Sequence, residues 1–168
     1  SSGSTSTIIY KFNNTEVNYQ GYKLELNSTG NVIFQIGDGT NVPSVTSTKS
    51  VNDGRWHSIL AVRNKGSTLT IYIDGVYDNS ASDNAGNIDS IIDVVIGRTS
   101  SASYYIGKLD ELNLYDYALS ASQAKVVYNK GFGAVLGATE DTNKGGAGPV
   151  GFWKFDEATG QYTNDSSG

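Results

Sequence analysis

Two adjacent acid pairs, Asp110-Glu111 and Asp156-Glu157, are the first residues in this sequence whose types could do chemistry. Glycoside hydrolysis needs two carboxyl groups flanking one scissile bond. Neighbours on a strand point to opposite faces, so neither pair acts as a unit. Glu111 and Glu157 could meet only across strands, on an outer face. His57 is the sole histidine. Nucleophilic hydrolysis would need a serine held by it and an acid behind it. No Gly-x-Ser-x-Gly elbow is present to supply that serine. Gly145-Gly146-Ala147-Gly148-Pro149 lacks the lysine of a phosphate-cradling loop. These residues predict a protein that is not an enzyme.

Binding is better served. If residues 108–116 form a strand, Asp110 shares a face with Leu112 and Leu114 and leans inward. A buried carboxylate needs a partner. Calcium, which takes roughly six to eight oxygen ligands, suits it. Asp110, Asp156 and Glu157 are therefore the candidate ligands of a structural calcium ion, the one cofactor the residues suggest. Hydrogen bonds to Asp110 from backbone amides, His57 or Trp56 are the plainer alternative. Residues 78–90 carry Asp78, Asn79, Asp83, Asn84, Asn87 and Asp89 with no basic residue among them. They offer oxygens without counter-charges, but not in the EF-hand pattern. Flat exposed rings suit sugar faces, with Asn and Asp taking the hydroxyls. Tyr22, Tyr77, Tyr104 and Tyr105, with Asp78 and Asn79, are the candidate glycan contacts. Ordinary cross-strand pairing is the competing explanation for these tyrosines. Trp56 reads as a core residue, and so does Trp153 if its segment docks.

The elements that must hold these residues are strands. Val and Ile together outnumber Leu, and there are 11 Tyr. Branched and aromatic side chains favour a pleated surface. Strands are expected at 8–12, 22–26, 32–36, 56–62, 93–97 and 104–117. Leu69 to Ile73, Asp74-Gly75 and Val76-Tyr77 read as a hairpin, because Asp-Gly accepts the positive φ angles of a type I′ turn. The one helix is predicted at Ser120 to about Lys130. There Ser120-Ala121-Ser122-Gln123 fits a capping box, and Gly131 is the stop. Residues 137–149 read as a linker and 150–155 as a last strand. The pattern implies an all-β, two-sheet antiparallel sandwich, with an all-β barrel as the alternative.

The chain has 168 residues, a formal net charge of −5 and no cysteine. Disulfides, thiolate metal sites and histidine-cluster metal sites are excluded. Without a basic cluster, nucleic acid and anionic membranes are poor partners. No apolar run approaches the ~20 residues of a membrane span, so no membrane insertion is expected. Low charge, abundant hydroxyls and absent thiols suit an extracellular or cell-surface location. There is no methionine, even at position 1. This reads as a fragment or a processed chain.

Three stretches resemble one family: Val51-Asn52-Asp53-Gly54-Arg55-Trp56-His57, then Leu69 to Gly75, then Gly107-Lys108-Leu109-Asp110-Glu111-Leu112-Asn113-Leu114-Tyr115 followed by Ala118-Leu119-Ser120. In this order they resemble the laminin-G-like jelly roll of the concanavalin A-like lectin/glucanase superfamily, over about residues 7–132. The resemblance implies a jelly-roll sandwich of curved sheets, a structural role for His57, and a secreted, non-catalytic module. Such modules bind glycans or cell-surface proteins and sometimes hold calcium. The family's first-strand text is displaced here to Val150–Gly160 and Asp165-Ser166-Ser167-Gly168. The expected organisation is a jelly roll at 1–136, a linker at 137–149, and a strand at 150–168 docked on the same sandwich. The alternative makes 150–168 the start of a next tandem repeat. The expected function is a non-catalytic extracellular carbohydrate-binding module. Its rival is an adhesion or structural domain of a tandem array or surface filament, self-associating by exchange of the 150–157 strand.

Overall fold

A computed structural model describes residues 5–15, 18–99, 104–128 and 150–155. The chain divides into two compact units, Ser1–Ile106 and Gly107–Gly168.

The first unit is a two-sheet antiparallel sandwich. Its strands are β1 (Ser6–Thr15), β2 (Asn18–Leu26), β3 (Asn31–Asp38), β4 (Ser44–Ser50), β5 (Ile59–Asn64), β6 (Thr68–Ile73), β7 (Val76–Ser82) and β8 (Val95–Ile96). One sheet has the order β4-β3-β2-β1-β8, the other β5-β6-β7. The period-two pattern selects the core. Leu69, Ile71 and Ile73 are buried while Thr68, Thr70 and Tyr72 between them are not. They meet Val32, Phe34, Ile36 and Val45 of the larger sheet. Each such side chain, fully buried, is worth roughly 1.5–3 kcal/mol.

The Asp74-Gly75 hairpin forms as the sequence predicts, with φ of 53° and 71° at the two central residues. Two positive φ angles match the right-handed strand twist, and glycine takes the second without a Cβ penalty. Strand β7 runs on to Ser82, into the polar stretch that begins at Asp78. Strand β5 begins only at Ile59, three residues later than expected, and β8 keeps two residues of the predicted 93–97.

The second unit holds β9 (Leu112–Leu114), helix α1 (Ala121–Tyr128) and β10 (Gly151–Trp153). Ser120 caps the helix as predicted. Its Oγ accepts from the Gln123 amide at 3.3 Å, and its own amide donates to Gln123 Oε1 at 2.8 Å. Strand β10 pairs antiparallel with β9, setting Gly151, Phe152 and Trp153 against Leu114, Asn113 and Leu112. The half-buried Trp153 ring lies over Gly151, where an added Cβ would come within 2.7 Å of its Cη2. The long strand expected over 104–117 shrinks to three residues, because Glu111 adopts a left-handed φ of 47° and breaks it. The 137–149 linker and Gly131 lie outside the described residues.

Candidate functional site

The hairpin end and outer face of β5-β6-β7 present the exposed aromatic residues of the smaller sheet. Tyr77 pairs with Tyr72 in register. Their rings meet edge to face, with centroids 6.2 Å apart and planes at 84°. Tyr77 is 55% exposed, and its hydroxyl lies 3.0 Å from Ser80 Oγ. Thr70 follows on the same outer face of β6, since it is two residues from Tyr72. The ring is thus braced by an edge and a hydroxyl while one side stays open.

A β-bulge decides what Asp78 and Asn79 do. The β6–β7 register shifts between Ile71 and Tyr72, so Tyr77 opposes Tyr72 while Asn79 opposes Ile71. The extra residue is Asp78, and the bulge lets both polar side chains reach β4. Asp78 accepts from the Thr48 amide at 2.5 Å, Thr48 Oγ1 at 2.9 Å and the Lys49 amide at 3.2 Å. Asn79 Nδ2 donates to Thr46 O at 2.9 Å. The two residues tie the edge strands of the two sheets together, which protects both edges. Their polar atoms hold β4 to β7.

The other expected tyrosines lie elsewhere. Tyr22 packs half-buried against the core between the sheets, and burial raises its phenol pKa. Tyr104 is 66% exposed, and its carbonyl accepts from Ser6 Oγ of β1. The half-buried Tyr105 donates its amide to Gly97 O at 2.8 Å. These two belong to the β1–β8 side, about 14 Å across the strands from β4, to which β7 is tied. One tyrosine platform built from Tyr22, Tyr77, Tyr104 and Tyr105 is therefore not formed.

One acid of residues 78–90, Asp83, has a counter-charge after all. Asp83, fully buried, accepts from Arg63 Nε of β5 at 2.8 Å and from the Gly66 and Ala85 amides at 3.1 and 2.9 Å. Burial pushes its carboxyl up, and the arginine and amide hydrogen bonds outweigh that and hold it below the usual carboxylate value. Asp38 accepts from the amides of Gly86, Asn41 and Thr40, which hold it far below that value. Oxygens aimed at N–H groups are not free for calcium. Asp110 does not lean inward either. It is exposed, because Glu111 ends the strand periodicity before reaching it. Asp156 and Glu157 lie outside the described residues. Among the described residues no group of three His, Cys, Asp or Glu side chains is placed to hold a metal ion.

His57 joins the loop before β5 to the hairpin turn. Its Nδ1 lies 2.9 Å from Asp74 Oδ2 and its Nε2 lies 2.9 Å from Asp53 Oδ1. Asp74 Oδ1 also accepts from the Ser58 amide at 3.0 Å. The hydrogen bond to Asp74, then that to Asp53, raises the His57 pKa against the effect of burial. The partner bond from His57 and the Arg55 amide lower that of Asp53. With both ring nitrogens taken by carboxylates, no nitrogen is left to accept a serine proton. Trp56, read from the sequence as core, is instead 64% exposed. Its neighbour His57 is pinned by long-range contacts, so the chain here is a clamped loop and not a strand. Trp56 is the residue the sequence reading missed. It sits at the same end of the sheet as Tyr77, one residue from the imidazole that touches the β6–β7 turn. Among the described residues no helix is long and apolar enough to cross a membrane.

Comparisons with known proteins agree with this architecture. A laminin G family model described as concanavalin A-like lectin/glucanases superfamily matches residues 1–125. Neurexin-2 of mouse and of human is each 32% identical over 68 residues, 40% of this chain but only 4% of neurexin-2. A proposed carbohydrate binding protein from Bacteroides ovatus superposes with a TM-score of 0.68 at 18% identity, over 98% of this chain and 45% of that one. The LG4-5 domains of mouse laminin alpha1 give 0.51 at 19% identity, over 63% and 30%. The binding domain of Paraclostridial Mosquitocidal Protein 1 gives 0.56 at 18% identity, over 77% and 32%.

Proposed function

Since the chain belongs to the concanavalin A-like lectin/glucanases superfamily, we propose that it is a lectin-like, non-catalytic binding domain that takes glycans outside the cell or at its surface. The observation that carries this reading is the open Tyr77 ring, braced by Tyr72 and Ser80, with the exposed Trp56 at the same end of the sheet. The C–H face of a pyranose is weakly positive and packs on the negative face of an aromatic ring. Ser80 and Thr70 supply hydroxyls to orient it. The ring is held in place before binding, so little side-chain entropy is lost. The carbohydrate-binding description of the Bacteroides ovatus relative supports the same ligand class. Its low charge and lack of thiols support the extracellular placement.

A shallow platform of one or two rings implies a Kd of about 0.1–1 mM for a single sugar. A glycan array read with a multivalent display of the chain overcomes that weakness through avidity. Binding to a defined glycan set, lost in Tyr77→Ala, supports the reading. An array with no binding at all sinks it.

A second reading is assembly with neighbouring copies of the chain through the 150–157 strand. The observation behind it is the β9–β10 ladder of only three residue pairs, whose strands leave at left-handed Glu111 and Phe155. A monomeric molar mass at micromolar concentration would exclude it.

A further inference from the structure

The cluster of Asp53, His57 and Asp74 plays no part in sugar stacking as such, yet it positions the loop that carries Trp56. We propose that this loop is proton-gated: the His57 imidazolium, shared between Asp53 and Asp74, holds Trp56 in its ligand-ready position, and loss of the His57 proton releases it. The inference rests on the glycan reading and adds a regulator to that site.

The geometry demands a charged ring. A neutral imidazole has one N–H and one lone pair, whereas an imidazolium has two N–H groups. Both ring nitrogens face carboxylate oxygens at 2.9 Å. Only the protonated ring donates to both. After deprotonation one nitrogen turns a lone pair toward a carboxylate, and that contact must open.

The structure also decides which contact yields. Asp74 is fixed inside the β6–β7 turn. Its amide donates to Ser58 O at 2.9 Å and its Oδ1 accepts from the Ser58 amide at 3.0 Å. Asp53 sits in an exposed stretch, and Gly54 beside it has a φ of 81° with open space where a Cβ would stand. The Asp53 side breaks, and Trp56 lies between Asp53 and His57 in the chain. The charged groups facing the imidazole are Asp53 and Arg55 of its own loop and Asp74 of the turn. Arg55 Nε lies 4.0 Å from Asp53 and is largely exposed.

The direction with pH follows. A histidine whose folded pKa is raised contributes its stabilisation fully below the unfolded value of 6.5 and loses it as pH rises through the raised folded value. Asp53 is held below its ordinary value and remains ionised over that interval. The clamp is closed below pH 6.5 and opens as pH rises through the raised His57 value.

The test uses an untagged chain carrying Trp153→Phe, so that Trp56 is its only tryptophan and His57 its only histidine. Acrylamide quenching of Trp56 emission and the His57 ring proton shift are followed from about pH 5.5 to about pH 9. Quenching is expected to rise through a single midpoint above 6.5 that coincides with the His57 titration. That midpoint should vanish in His57→Gln. It should weaken in Asp53→Asn, a change at an exposed site that leaves the core intact. Glycan affinity should fall at least about five-fold across the same midpoint. Flat quenching, or a midpoint that survives in His57→Gln, overturns the gate. If quenching titrates as stated and no glycan binds, the clamp stands and the glycan reading falls. If a glycan binds with an affinity independent of pH, the reverse holds.

Discussion

Asp74 and Glu111 are two acidic residues with nearly the same unusual backbone, φ 53° and 47°, and opposite consequences. Asp74 opens a hairpin turn whose partner is glycine, and its carboxylate is held by His57 and the Ser58 amide. Glu111 is exposed and stops a strand after which only three residues pair. A left-handed residue builds structure where its geometry matches the strand twist and its side chain finds partners. Where neither holds, it ends the element. The same contrast separates the two units. In the sandwich, four acids have side-chain anchors: Asp83 on Arg63, Asp78 on β4, Asp53 and Asp74 on His57. In the second unit Asp110 and Glu111 stand exposed.

The anchors of the sandwich are the first place to break that contrast. Asp83→Ala leaves Arg63, 15% exposed, beside an empty buried site. Breaking a buried pair from one side costs about 3–5 kcal/mol, read from the denaturant midpoint of the first unit. Asp110→Ala, where the carboxylate is exposed, should cost under about 0.5 kcal/mol, read from denaturant unfolding of the second unit. A comparable loss in both would erase the distinction.

The two left-handed acids sharpen it next. Asp74→Ala removes the acceptor of His57 and of the Ser58 amide and puts a Cβ residue without local hydrogen bonding at positive φ. A loss of about 2–3 kcal/mol is expected. Glu111→Gly removes strain and no side-chain contact among the described residues, so it should stabilise by about 0.5–1 kcal/mol after the entropy cost of glycine. Thermal melts of the two variants should move in opposite directions.

Local signals account for what the sequence revealed. The Asp74-Gly75 turn, the Ser120–Gln123 box and the alternation of Leu69, Ile71 and Ile73 are each decided within a few residues, and the sandwich follows from them. What escaped was decided at a distance. Trp56 looks like core because Ile59 to Val62 follow it, and its exposure depends on His57 meeting an acid 17 positions on. The loop acids look unpaired because Arg63 lies 20 residues before Asp83. Asp78 and Asn79 look like free oxygens until a bulge sends both to β4. The types of Tyr77, Tyr104 and Tyr105 are legible in the sequence, but which strands lie side by side is not.

The smallest expected effect is at the helix cap. Ser120→Ala removes one half of the capping box and should cost about 1 kcal/mol, seen as a lower melting temperature.

The most direct measurement is calorimetric titration of the chain, and of its Tyr77→Ala, Trp56→Ala and Tyr104→Ala variants, with the glycan that the array identifies. Losses of at least about ten-fold in affinity for the first two, with melting temperatures unchanged and Tyr104→Ala binding normally, are the predicted result. Full affinity in Tyr77→Ala and Trp56→Ala, with binding lost in Tyr104→Ala, would move the site to the β1–β8 side and contradict the assignment.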